Sequence, residues 1–68
     1  MTETPMELIR KLDETAAALL ALARHVRQSA PDVADEELRK EMLESAADLE
    51  RRATDMAEAI ERLRVKIN

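Results

Sequence analysis

No glycine, no cysteine and no aromatic residue occurs anywhere in the 68-residue sequence, and histidine occurs once. Each absence closes a class of function. Without cysteine there are no disulfides and no thiolate zinc sites. Without glycine there is no phosphate-cradling loop, and no turn can draw on glycine for a positive φ. Without aromatics there is no platform on which bases stack. One histidine excludes a two-histidine metal motif. No run comes near the ~20 apolar residues that cross a bilayer, and the N-terminus lacks the basic, apolar, small-residue order of a signal peptide. The expectation is a soluble, cytoplasmic protein with no membrane partner.

What is present is helix-forming. Apolar residues make up 46% of the chain and charged residues 38%, with a net charge of −4. Alanine, leucine, glutamate and arginine dominate, all strong helix formers, and strand formers are scarce. Thr4-Pro5-Met6-Glu7 reads as a helix start, with Thr4 as cap, Pro5 in the first turn and Glu7 placed to reach back. Nothing breaks that helix before Ser29-Ala30-Pro31-Asp32. Pro31 disfavours the α conformation at Ala30 and cannot donate a hydrogen bond. Asp32 or Asp35 then caps a second helix, whose first turn carries Glu36 and Glu37 and whose last turns carry Arg62, Arg64 and Lys66, the polarity the helix dipole favours. The reading is one all-α domain over residues 1–68, with helix one at about 5–29, a turn at about 30–33 and helix two at about 34–66.

Apolar residues recur in steps of three and four. Helix one has Ile9, Leu12, Ala16, Leu19, Ala23 and Val26. Helix two has Leu38, Met42, Ala46, Leu49, Ala53, Met56, Ile60, Leu63 and Ile67. Both are heptad seams. Folding the chain back at Asp32-Val33 pairs positions whose numbers sum to 65. Ile9 then meets Met56, Leu12 meets Ala53, Ala16 meets Leu49, Leu19 meets Ala46 and Ala23 meets Met42. Four of these five pairs set a large side chain against alanine, as interdigitating layers do. An antiparallel helical hairpin follows. In this register Leu63 lies opposite Thr2 and Ile67 has no partner in its own hairpin, so helix two is expected to outrun helix one by about a turn or more, with Leu63 and Ile67 packing on a second chain or an external partner.

The apolar arcs are wider than a two-helix seam needs. Leu8 and Leu22 extend helix one on one flank and Leu20 on the other, while Leu43 and Ala57 widen one side of helix two and Ala59 the other. Broad apolar patches mark interfaces, and helical cores below ~70 residues rarely stabilise themselves without assembly. Two hairpins side by side, a homodimeric four-helix bundle, satisfy both demands; a six-helix bundle of three hairpins is the alternative. Leu8, Leu20, Leu22, Leu43, Arg52 and Ile67 are the candidate interface flank.

The alanine and large-aliphatic layers at Leu12/Ala53, Ala16/Leu49, Leu19/Ala46 and Ala23/Met42 resemble the core of Rop-like bundles and of the designed bundles patterned on them, over roughly residues 5–61. The resemblance is one of core pattern, without a residue-by-residue match, and implies tight antiparallel four-helix packing. Rop-like proteins grip RNA with a polar, basic helix face carrying an aromatic. This chain has none, and its helix one is alanine-rich on that face, so RNA binding is not carried over. The regular helix punctuation and aromatic-free core also resemble a de novo designed bundle, which makes an engineered origin an expectation, although designed loops usually contain glycine.

No constellation unites a nucleophile, a base and an orienting group, so neither enzymatic activity nor a cofactor is expected. His25 has Ala21, Leu22, Gln28 and Ser29 three and four residues away, none a metal ligand, and reads as an exposed residue. Thr15, Ser29, Ser45 and Arg52 flank the seam, either as a wetted rim or as a polar network that fixes register. The acidic run Asp32, Asp35, Glu36, Glu37 and Glu41 fits helix N-terminal preference and lacks the glycine-turned cage of a calcium loop. Arg51-Arg52 and Arg62, Arg64, Lys66 are too interspersed with acid to form a nucleic-acid stripe. The expected function is self-association; the alternative is a small adaptor, chaperone or anti-activator that offers its helical surface to a larger protein.

Overall fold

The computed structural model describes residues 4–67. The chain is all-α, with two helices packed against each other: α1 (Pro5–Ser29), a 3₁₀ turn (Ala30–Asp32) and α2 (Glu36–Ile67). The hairpin is a rod of 49 × 21 × 16 Å.

Each helix start has a specific cap. The Thr4 hydroxyl accepts from the Glu7 N–H at 3.2 Å, and Pro5 follows where its missing donor costs nothing. At α2 the cap is Asp35, whose Oδ1 accepts from the N–H groups of Glu37 at 2.9 Å and Leu38 at 3.2 Å. That carboxylate is thereby committed, and Arg39 turns elsewhere. Its Nη1 donates to the Val33 carbonyl at 3.1 Å and its Nη2 lies 3.8 Å from Glu36.

The turn departs from the sequence expectation. Ala30 precedes a proline yet holds φ −56° and ψ −41°, and its N–H still donates to the Val26 carbonyl. Its methyl is buried, and the tight 3₁₀ turn that follows places Pro31 where no helical donor is needed. The Val33 N–H closes this turn on the Ala30 carbonyl at 3.0 Å, and Val33, extended at φ −87° and ψ 119°, starts the reversal. No described residue has a positive φ. The first helical column therefore runs on to Asp32, and the reversal is compressed into Val33 to Asp35.

That geometry moves the register. Arg64 Nη2 donates to Asp13 Oδ2 at 2.9 Å, and Arg27 Nε donates to Glu50 Oε2 at 3.2 Å. Pairing positions that sum to 65 would set Asp13 opposite Arg52 and Arg27 opposite Leu38, about 18 Å along the axis from the partners they have. No arginine–carboxylate pair spans that distance. Likewise Ile9, expected on Met56, shares clefts with Leu63, Arg64 and Ile67. The return helix is displaced by about three turns. Leu63 and Ile67 therefore line the hairpin's own open end with Pro5, Leu8 and Ile9; they are not an overhang, and Thr2, the expected neighbour of Leu63, lies outside the described residues.

The layering changes too. Ala16, Ala23, Ala30, Ala46 and Ala53 are buried, with Ile9 and Ile60 at the open end, and no large side chain is fully buried among the described residues. Ala23 and Ala46 are 0% exposed. A methyl group is covered this completely by one neighbouring helix only when that helix's backbone lies directly over it. Alanines of both helices thus line the closest approach, toward the short end of the 8–10 Å range of interaxial distances. The large residues that were to face alanine, Leu12, Leu19, Leu49 and Met42, sit beside this line and are half-buried, as is Met56.

Candidate self-association surface

Two clefts at the open end show which residues share a side of the rod. Ile9 and Ile67 line both; Leu8, Leu63 and Lys66 line one, Met6 and Arg64 the other. Stepping by seven along each helix, which returns nearly to the same angle, extends both sides along the rod. The Met6 and Arg64 side carries Asp13, Leu20 and Arg27 of α1 and Leu43, Glu50 and Ala57 of α2. The Leu8 and Leu63 side carries Leu12, Thr15, Leu19, Leu22, Val26 and Ser29 of α1, and Leu38, Met42, Ser45, Leu49, Arg52, Met56 and Ala59 of α2.

The first side is strapped shut by charge. Asp13 with Arg64 and Arg27 with Glu50 bridge the helices at two levels. Arg27 presents Nε and Nη2 to the two oxygens of Glu50, the side-on fork that fits a carboxylate. This hydrogen bonding, more than the charge alone, lowers the Glu50 pKa and raises that of Arg27. Leu20 stands exposed between the straps, with Met6 and Leu43 exposed on the same side beyond them.

The second side is open. Leu12, Leu19 and Val26 from α1 and Met42, Leu49, Met56 and Leu63 from α2 form a half-buried double row along the rod. Leu8 at 44%, Leu22 at 50% and Leu38 at 48% exposure widen it. No ion pair between the helices crosses it among the described interactions; its one salt-bridged member, Arg52, is held within α2 by Asp48 at 3.1 Å. A compact protein of 7.7 kDa exposes about 4,300 Å², whereas this chain exposes 5,400 Å².

The polar candidates lie at the rim. Ser29 is half-buried; Thr15, Ser45, Arg52 and His25 are exposed. Thr15 donates to the Lys11 carbonyl one turn back at 2.9 Å. No polar side chain is buried among the described residues. No group of three His, Cys, Asp or Glu is placed to hold a metal, and no helix is long and apolar enough to cross a membrane, again among the described residues. The sequence reading passed over Ala30 and both inter-helix ion pairs. The signal for Ala30 was there, because Ile9, Ala16, Ala23 and Ala30 recur at strict intervals of seven, as do Ala46, Ala53 and Ile60. Comparison with protein-family models, curated proteins and solved structures finds no match for this chain.

Proposed function

We propose that the chain is a non-enzymatic self-association module, and that a second copy covers the open face to complete a homodimeric four-helix bundle. The observation that carries this reading is the one-sided double row of Leu12, Leu19, Val26, Met42, Leu49, Met56 and Leu63, left half-buried when the opposite side is closed by ion pairs. A surface more than 1,000 Å² above the compact value, by the same rough relation, is the scale a stable interface removes from each partner. The Rop-like resemblance belongs at this level, as four antiparallel helices around a shared apolar centre, rather than within one hairpin, where alanine rather than a large residue fills the contact line. Sedimentation equilibrium over a micromolar concentration series tests the proposal. A species of twice the chain mass is expected, and a folded monomer throughout would refute it.

The adaptor reading draws on a different observation. Met6, Leu20 and Leu43 remain exposed on the strapped side, which the proposed dimer leaves uncovered. If the dimer forms and Leu20→Ser abolishes capture of a second protein without altering dimer mass, that side is a separate docking surface.

A further inference from the structure

We propose that the two hairpins of the dimer run in opposite directions, so that the turn of each lies over the open end of the other and α2 lies beside its own copy. The inference rests on the self-association reading and adds the orientation of the second copy. Charge complementarity carries it. The ion pairs Asp13–Arg64 and Arg27–Glu50 set Leu20 level with Ala57, about half-way along the 49 Å rod. In the turn half, residues 21–56, nine carboxylates stand against six lysines and arginines; in the rest of the described chain five stand against five. Along the rims of the open face the division is sharper. The helix period places Asp32, Glu41, Asp48 and Asp55 on the turn half of these rims, with Arg52 as the one lysine or arginine among them. The other half carries Lys11, Arg62 and Lys66 and no carboxylate.

Two orientations keep every helix antiparallel to its neighbours in a two-fold dimer. With the turns together, Asp32 and Glu41 of both copies collect at one end, and Lys11, Arg62 and Lys66 of both collect at the other. Like charges brought together across an interface oppose association. With the turns apart, the acidic rim of each α2 lies along the basic rim of the other, and Asp48 of one copy comes to the level of Arg62 and Lys66 of the other. Near the two-fold itself Asp55 and Arg52 of both copies form one mixed cluster. Each Arg52 there is already held by Asp48 at 3.1 Å.

The chain has no cysteine, so a single Ala34→Cys in the exposed turn carries one nitroxide per chain. The distance between the two labels is read by double electron–electron resonance, on a sample whose mass is measured by sedimentation. A distance close to the 49 Å length of the hairpin is expected. A distance of roughly 10–25 Å, one to two helix diameters, or both distances in comparable amounts, would overturn the orientation while leaving the dimer intact. A monomeric mass would overturn the self-association reading itself. Met6→Cys, at the open end, must report the same long distance; a short one there would overturn the orientation independently of the turn.

Discussion

Alanine is usually a neutral helix residue; at Ala23 and Ala46 its size is the point. Both methyls are completely covered, so a larger side chain has nowhere to go without separating the helices. Ala23→Leu or Ala46→Leu should lower stability by about 1–3 kcal/mol, the usual cost of overpacking, in urea titration followed by circular dichroism. Ala17→Leu, on an exposed position, should change little. Had alanine faced leucine or methionine, as the sequence pattern indicates, only the paired large residue would have had to yield. Glu50 offers a second test at this scale. Its pKa is lowered by the hydrogen bonds from Arg27. A lowered native pKa means the pair contributes stability above the unfolded glutamate pKa and loses it as pH falls through the native one. Titration of Glu50 by NMR should show a midpoint below the ordinary glutamate range, and Arg27→Gln should move it back up.

Among the elements, the turn has the largest structural consequences for its size. Asp35 satisfies two donors at the start of α2. Asp35→Ala should cost about 1 kcal/mol and Asp35→Asn much less, measured by thermal denaturation. The 3₁₀ turn through Asp32 sets how far α1 runs before the reversal, and so which turn of α2 each α1 residue meets. The C-terminal turns of α2 belong to the hairpin for the same reason. Because Leu63 and Ile67 line the open end with Pro5, Leu8 and Ile9, deleting residues 62–68 should reduce the helicity of the hairpin itself and lower its melting temperature. Unchanged melting with weakened association would return these residues to the overhang that the sequence pattern indicates.

At the scale of the whole molecule, the two long sides of the rod differ in kind, and substitutions on them should separate. Leu19→Asp or Leu49→Asp places a charge in the half-buried row, where a second copy would strip it of water without a partner. Either should shift sedimentation to the monomer. Leu20→Asp, exposed between the ion-pair straps, should leave the assembly mass unchanged. If all three dissociate the assembly equally, the open face is not the interface.

The sequence by itself determined that the chain is helical, where the helices are capped and that they pack as a pair, because composition, capping chemistry and a three-four apolar spacing are local properties. It also marked both helices as too apolar for one seam. Only the tertiary structure decided the register, which side of the pair is strapped and which is open. A seam that repeats every seven residues stays apolar when one helix slides along the other by a turn, so periodicity alone does not rank the alternatives. The choice rests on non-local terms: how far the 3₁₀ turn carries α1, how closely two backbones approach over Ala16, Ala23, Ala46 and Ala53, and whether Asp13 and Arg27 reach Arg64 and Glu50. These arise only when distant parts of the chain are brought together, and they turn a symmetric-looking pattern into a rod with one closed and one open side.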